Sequence, residues 1–406
     1  MNAIPGSVEV ELAAAAAKCR EALGRPEFAG LDARLPGAPT DAEGWFRLLH
    51  GYPHATEAEF RRIAAALPAD AAAAGVRIEH YATLQALTVA APRMNAERVP
   101  NSVKRLYATL CNEIAARAKH WESHFDVASW RFNDVAALAS LRRFPAGEVG
   151  FQFVPRLPAY YPLRIHPLDM AGFFCEVAFA VRGTGPVISL HFNYARANAL
   201  VLPQIEFERS LWRIASALDY HPRVRALISN SWFHSPRVAE SFPRLAWMRD
   251  VFTAGGAYAV DMEPGSAADI GYNSAKRRQL YDEGKFCPRQ TLIIWPREDF
   301  LSWAISRPEL ASEGETPPAA PQRARWRIRI TPPGPSRAAK HNSSVTLWEG
   351  IAAYSRGPAK YVFLVLLLPA LIAAVLAGVA LGLLAAIPAF AAALAGAHIF
   401  QYFFSQ

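Results

Sequence analysis

Two short polar clusters in the chain have residue types that could perform acid–base or anion-binding chemistry. The first, the strand-end cluster, follows two predicted strands and consists of His191, Asn193, Ser229, Asn230, Ser231 and His234. Histidine can act as a general base near neutral pH, and serine or asparagine can donate hydrogen bonds to a developing oxyanion. Because ligand sites of open α/β sheets gather at the carboxyl ends of strands, we predict that these six residues are catalytic.

Two observations keep a purely structural role of the strand-end cluster open. No G-x-S-x-G motif is present, so the serines are not predicted to belong to a hydrolase triad. His191 alternates with Leu190 and Phe192 along its predicted strand, so it could also be a solvent-facing residue.

The second cluster, the basic helix cluster, lies along a predicted helix and consists of Ser274, Arg277, Arg278 and Lys285. Ser274 can cap the start of the helix, where the backbone dipole and the nearby cations favour an anion. We therefore predict a phosphate-bearing ligand here, such as a nucleotide, coenzyme A or a lipid head group. The alternative is a basic helix face that is simply solvated.

No metal site is predicted from the cysteines and histidines. The four cysteines are far apart and form no C-x-x-C pair: Cys19, Cys111, Cys175 and Cys287. His120 and His124 are four residues apart, but the H-E-x-x-H pattern is absent. Neither a zinc knuckle nor a disulfide framework is therefore expected.

The elements that would position these clusters change in type along the chain. Residues 1–145 read as a helical region, and residues 146–306 as an α+β domain. In the second part, the segments 172–181 and 186–194 are predicted to form a hairpin around Gly183 and Gly185. Helices and strands then alternate, so the predicted fold class is α+β, a mixed sheet with flanking helices.

The order of predicted elements from the hairpin onward resembles the second half of the GNAT acyltransferase fold, over roughly residues 150–300. This resemblance implies an acyltransferase that uses acyl-CoA. The family carries a glycine-containing Q/R-x-x-G-x-G/A loop after its central strand, whereas residues 195–210 contain no glycine here. No coenzyme-binding residue is therefore assigned from the resemblance.

Residues 361–406 contain no Asp, Glu, Lys or Arg, and this length could cross a bilayer twice as a transmembrane hairpin. One long tilted helix is the alternative. A Pro- and Arg-rich linker, residues 307–360, precedes this segment and carries several cations: Arg323, Arg325, Arg327, Arg329, Arg337, Lys340, Arg356 and Lys360. Positive flanks favour the cytoplasmic side and attract anionic lipid head groups.

We therefore predict a cell-membrane protein whose soluble part is cytoplasmic and whose partners are the lipid bilayer and anionic lipid head groups. The net charge of +8 is assigned to lipid contact rather than to nucleic acid. The predicted activity is that of an acyltransferase-like transferase acting near the membrane. The alternative is a non-catalytic, membrane-associated binding or assembly protein.

Overall fold

The computed structural model of the protein describes residues 7–117, 124–127, 129–165, 167–192, 203–265, 274–311, 315 and 317–320. All of them belong to one compact unit, Met1–Ile328. Within these ranges, no helix is long and apolar enough to cross a membrane. Most of the predicted linker and all of residues 361–406 lie outside the described residues, so the membrane hairpin stays a prediction.

The first part of the chain is helical, as predicted. Its helices are α1 (Val8–Leu23), α2 (Leu31–Arg34), α3 (Ala42–Gly51), α4 (Glu57–Ala65), α5 (Ala69–Ala73), α6 (Ile78–Arg93), α7 (Asn101–Ala115) and α8 (Trp130–Ala139). Helix α1 buries Leu12, Ala15 and Cys19, whose three- and four-residue spacing places them on one face. Helix α6 is buried along most of its length and packs against α1 and α3. It therefore forms the centre of this helical layer.

The second part forms a six-stranded mixed sheet in the order β1-β2-β3-β4-β6-β5. Its strands are β1 (Phe144–Pro145), β2 (Val149–Val154), β3 (Val187–Phe192), β4 (Ala226–Ser231), β5 (Tyr258–Pro264) and β6 (Arg289–Pro296). Strands β3 and β4 are parallel, and every other neighbouring pair is antiparallel. The predicted α+β class with a mixed sheet is confirmed.

In the described part of the chain, seven further helices flank the sheet: α9 (Tyr161–Arg164), α10 (Pro167–Cys175), α11 (Gln204–Ala217), α12 (Pro236–Ser241), α13 (Trp247–Ala254), α14 (Ala275–Asp282) and α15 (Arg297–Ile305). The strand and helix order after β3 agrees with the order predicted from the sequence. Pro243 lies between α12 and α13, where it interrupts the helical segment.

The two faces of the sheet pack against different layers. Ile188, Leu227 and Ile293 belong to the large core that includes the helices α1–α8. Val187 and Ile228, which alternate with them, belong to a separate core formed with α9 and α10. We call the first the helical-layer face and the second the α9–α10 face. Since the large core contains residues from both sides of position 145, the division into two domains there stays a prediction.

The prediction that residues 172–181 form a strand paired with β3 in a hairpin is wrong. Residues 172–181 are not a strand: they continue α10 to Cys175 and then form a π-helical turn, Glu176–Ala180. Phe173, Val177 and Val181 are spaced four apart and are buried together against the sheet. A short apolar run has no periodicity that separates a buried strand from a buried helix, which explains the error. The antiparallel partner of β3 is β2.

Candidate functional site

The parallel strands β3 and β4 pair over only half of their length. Three residue pairs are formed: Val187 with Ala226, Ile188 with Leu227, and Ser189 with Ile228. Both strands then continue for three more residues, β3 against β2 and β4 against β6. Their facing edges beyond the third pair have no strand partner in the described part of the chain. We call this opening the strand gap.

His191 of β3 and Asn230 of β4 lie on the two strands that border the strand gap. If the register of the paired residues continued, these two positions would be opposite one another, and both point to the α9–α10 face. The His191 Nε2 and the Asn230 Oδ1 are buried, and neither has a hydrogen-bond partner among the described residues. A buried polar atom left unpaired costs about 1–3 kcal/mol, so these two atoms are favourable binding points for a ligand.

The surroundings of His191 keep its imidazole uncharged. Burial lowers the pKa of His191 well below its ordinary value, and the positive charge of Arg143 lowers this pKa further. Arg143 is held by Asp134, whose Oδ1 lies 2.5 Å from Nη1. The His191 imidazole is therefore neutral at pH 7, as a general base must be before it accepts a proton, and the same burial and charge make it a weaker base than a free histidine.

Arg143 was not among the predicted site residues, although a glycine in the neighbouring strand, Gly150, indicates a close approach by another side chain. Gly150 pairs with His191 in the antiparallel ladder. A Cβ on Gly150 would lie 3.3 Å from the Arg143 Cδ, so the glycine leaves room for this arginine across β2. A glycine inside a strand indicates close approach by another group.

Ser229, Ser231 and His234 lie on the helical-layer side, away from His191. The Ser229 Oγ is 2.9 Å from the His234 Nε2, and both side chains are fully buried. Burial, and then the charge of Arg249, lowers the pKa of His234 to about 3. The Ser231 Oγ accepts a hydrogen bond from the Phe233 backbone N–H. These residues form a core hydrogen bond and a local cap, and they are not brought together with His191.

Asn193, the sixth residue of the strand-end cluster, lies outside the described residues. Its proposed role therefore stays a prediction. The strand register places two of the six residues, His191 and Asn230, on one face beside the strand gap, and the other three described residues lie on the helical-layer side.

The basic helix cluster lies on α14, next to the end of β4. The Ser274 Oγ accepts a hydrogen bond from the Arg277 backbone N–H, so Ser274 caps the helix as predicted. The Arg277 guanidinium lies 5.4 Å from the ring centre of Trp232, which directly follows β4. Arg278 pairs with Asp282, and Lys285 pairs with Glu283. Ser274 and Arg277 therefore lie nearest to the strand ends.

A cavity of about 610 Å³ lies in the helical layer instead. Its lining includes Leu67, Val76 and Glu79, and it includes no residue of β3 or β4. The Glu79 Oε1 accepts a 2.8 Å hydrogen bond from the Val127 backbone N–H, and burial raises the pKa of this carboxyl group. Since one carboxylate oxygen is already bound to the backbone, Glu79 has a structural role in this cavity.

No group of three or more His, Cys, Asp or Glu side chains that could hold a metal ion occurs within the described ranges. The four cysteines are free thiols, and Cys19 and Cys111 are buried.

No known protein family and no curated protein matches the chain. Four solved structures are similar to it, and all are described as acyltransferases. An acyltransferase in complex with decanoyl-CoA is 17% identical, with a TM-score of 0.40, over 69% of this chain and 87% of that chain. An acyltransferase in complex with decanoyl-CoA and teicoplanin is 18% identical, with a TM-score of 0.41, over 68% and 87%. The chain has a weak, fold-level resemblance to acyltransferases.

Proposed function

We propose that the chain is an acyltransferase-like enzyme that takes its acyl group from acyl-CoA and works beside a membrane. The observation that carries this proposal is the strand gap, with the unpartnered polar atoms of His191 and Asn230 on its two sides. Antiparallel neighbours hold both strands, so the gap is present before any ligand binds.

The strand gap fits an extended ligand that carries amides. Within the described residues, the facing edges of β3 and β4 beyond the third pair have no strand partner, so their backbone N–H and C=O groups could pair with an added chain, as in β-augmentation. The pantetheine arm of coenzyme A is a narrow chain with two amide groups. Arg277 and the capped start of α14 lie near the end of β4 and could bind phosphate groups of the same ligand.

The chemistry assigned to this chain is proton transfer at His191. An acyl-CoA thioester supplies an activated acyl group, whose C–S bond breaks as the bond to an amine or hydroxyl acceptor forms. The neutral His191 imidazole accepts the proton of the attacking acceptor and returns a proton to the leaving thiol. The Asn230 carboxamide orients the acceptor or donates to the carbonyl oxygen.

The membrane location is supported by sequence alone. Residues 361–406 carry no Asp, Glu, Lys or Arg, and the eight cations between Arg323 and Lys360 favour an anionic lipid surface.

We expect the full-length protein, reconstituted in lipid nanodiscs, to bind acetyl-CoA and octanoyl-CoA saturably and to release free thiol in the presence of primary amines. The variant His191→Gln should reduce the rate of thiol release about 100-fold or more, because a general base contributes about 10²–10⁴-fold. It should leave the acyl-CoA dissociation constant within about threefold, since His191 acts on the acceptor proton. Equilibrium dialysis and a thiol-reactive dye measure the two quantities.

The matched control is His54→Gln, which replaces an exposed histidine in the helical layer. It should keep both binding and thiol release. Failure of the wild type to bind either thioester saturably would overturn the proposed function. Retained membrane association in that case would favour the second candidate, a non-catalytic binding or assembly protein.

A further inference from the structure

The layer that covers the α9–α10 face of the sheet is apolar on its outer surface as well as on its inner one. Its inner side chains include Tyr161, Phe173 and Val177, which pack on the sheet. Seven large apolar side chains are exposed in the described part of the chain, and four of them lie within residues 160–179. They are Tyr160, Leu163, Phe174 and Phe179, with exposed fractions of 48%, 53%, 44% and 72%.

Such a concentration differs from the scattered apolar residues of an ordinary protein surface. A helix that is apolar on both sides needs a second apolar environment besides its own core. Exposed apolar patches of this kind mark contacts with proteins, ligands or membranes. The α9–α10 layer is therefore a candidate docking surface, and its charged side chains indicate what it contacts.

The exposed charged side chains of residues 155–184 are all arginines: Arg156, Arg164 and Arg182. Arg164 forms an exposed ion pair with Glu263, and Arg182 lies 3.9 Å from Glu298, so head-group contact would exchange or share these partners. The two carboxylates of this segment, Asp169 and Glu176, are half-buried. Arg164 lies 5.6 Å from the ring centre of Tyr160. Arginines beside exposed aromatic rings suit the boundary between water and an anionic bilayer, where the ring is buried and the cation meets lipid phosphate.

We propose that the outer surface of α9 and α10 docks in the interfacial region of an anionic bilayer. Tyr160, Leu163, Phe174 and Phe179 enter the lipid boundary, and the three arginines contact the head groups. A bilayer is favoured over a second copy of the chain because residues 361–406 are uncharged and a basic linker precedes them. Two weak attachments hold a protein to a membrane far better than one. This inference does not depend on acyl transfer.

The test is photo-crosslinking of the full-length protein in vesicles of phosphatidylcholine and phosphatidylserine. A photoreactive phenylalanine analogue replaces Leu163 or Phe179 in two variants, and Val10 or Tyr220 in two matched controls. The control positions are 62% and 43% exposed and lie in other parts of the molecule. We expect lipid adducts, detected by mass spectrometry, from positions 163 and 179 and at least tenfold less adduct from positions 10 and 220.

Three outcomes would overturn the docking surface. They are equal lipid yields at all four positions, crosslinks at 163 and 179 to a second copy of the chain, and crosslinks at these positions to residues 361–406 of the same chain. Vesicles of phosphatidylcholine alone should lower the yield at 163 and 179 several-fold, and an unchanged yield would exclude the arginines from the contact. Thiol release, measured in parallel, separates failure of this inference from failure of the proposed enzyme.

Discussion

His191 and His234 are both uncharged histidines near the ends of the parallel strands, but they face opposite sides of the sheet. His234 is fully buried; its Nε2 lies 2.9 Å from the Ser229 Oγ, and its Nδ1 has no hydrogen-bond partner among the described residues. The His191 side chain is on the α9–α10 face beside the strand gap and is partly exposed, although its Nε2 is buried without such a partner. Residue type alone does not separate these two roles, whereas exposure and position in the sheet do.

The buried His234 should make the protein sensitive to acid. Its pKa is about 3 in the folded state and about 6.5 in the unfolded chain, so the unfolded state binds more protons between these values. The contribution of neutral His234 to the free energy of unfolding is therefore fully present above about pH 6.5, and it is lost as the pH falls toward 3. Between pH 7 and pH 5, we expect His234 to account for a loss of about 2 kcal/mol in the free energy of unfolding.

Urea unfolding of the wild type, His234→Gln and Ser229→Ala at both pH values measures this contribution. His234→Gln should remove that part of the pH dependence, while Ser229→Ala should lower the stability at both pH values and keep the dependence. An equally steep fall in stability for His234→Gln would show that this histidine is not responsible.

At the scale of elements, the strand gap is present because β3 stays paired with β2, and β4 with β6, along the part where β3 and β4 are no longer paired with each other. All six residues of β3 are paired with β2, and all six residues of β4 with β6. The gap is therefore held open by backbone hydrogen bonds on both sides. A site built in this way needs little ordering when a ligand enters, which favours binding.

The contact between α13 and β6 depends on one glycine. The Gly255 backbone oxygen accepts a 2.9 Å hydrogen bond from the Trp295 Nε1, and a Cβ on Gly255 would lie 2.2 Å from the Trp295 Cζ2. We expect Gly255→Ala to lower the free energy of unfolding by about 2–3 kcal/mol, because the fully buried indole must move.

Gly284→Ala is the matched control for a glycine substitution without a clash. Gly284 has a φ of +68°, and nothing lies within 4 Å of its added Cβ. Gly284→Ala should lower the free energy of unfolding by about 1–2 kcal/mol through backbone strain alone. Thermal unfolding measured by circular dichroism ranks the two variants, and an equal or smaller loss for Gly255→Ala would contradict the steric argument.

At the scale of the whole molecule, the helical layer and the sheet share one core. Trp45 of α3 and Leu84 of α6 belong to the same buried cluster as Ile188 of β3 and Trp295 of β6. A continuous core favours cooperative unfolding, because neither layer can open without exposing the apolar surface of the other.

We therefore expect α6 and β4 to open together in native-state hydrogen exchange. Their slowest backbone amides should show the same free energy of opening and the same dependence on low concentrations of urea. Exchange of α6 at a clearly lower free energy than β4 would indicate two folding units and would support the predicted division near residue 145.

Local sequence patterns were enough to place most elements of the sheet domain. The helix α11, the strands β4, β5 and β6, and the cap of α14 at Ser274 all depend on nearby residues, and the structure has them where they were predicted. The failure at residues 172–181 has a physical reason. A buried strand and a buried helix both place apolar side chains in the core, so tertiary packing decides which of the two a short apolar segment forms.

The sequence by itself determined the composition of the hydrophobic segment at residues 361–406, the basic linker and the order of elements after β3, because these are properties of neighbouring residues. Only the tertiary structure decided which polar residues share a site. The parallel register of β3 and β4 places His191 and Asn230 on one face and Ser229 on the other. Long-range pairing sets that register, and a one-residue shift would exchange the two faces.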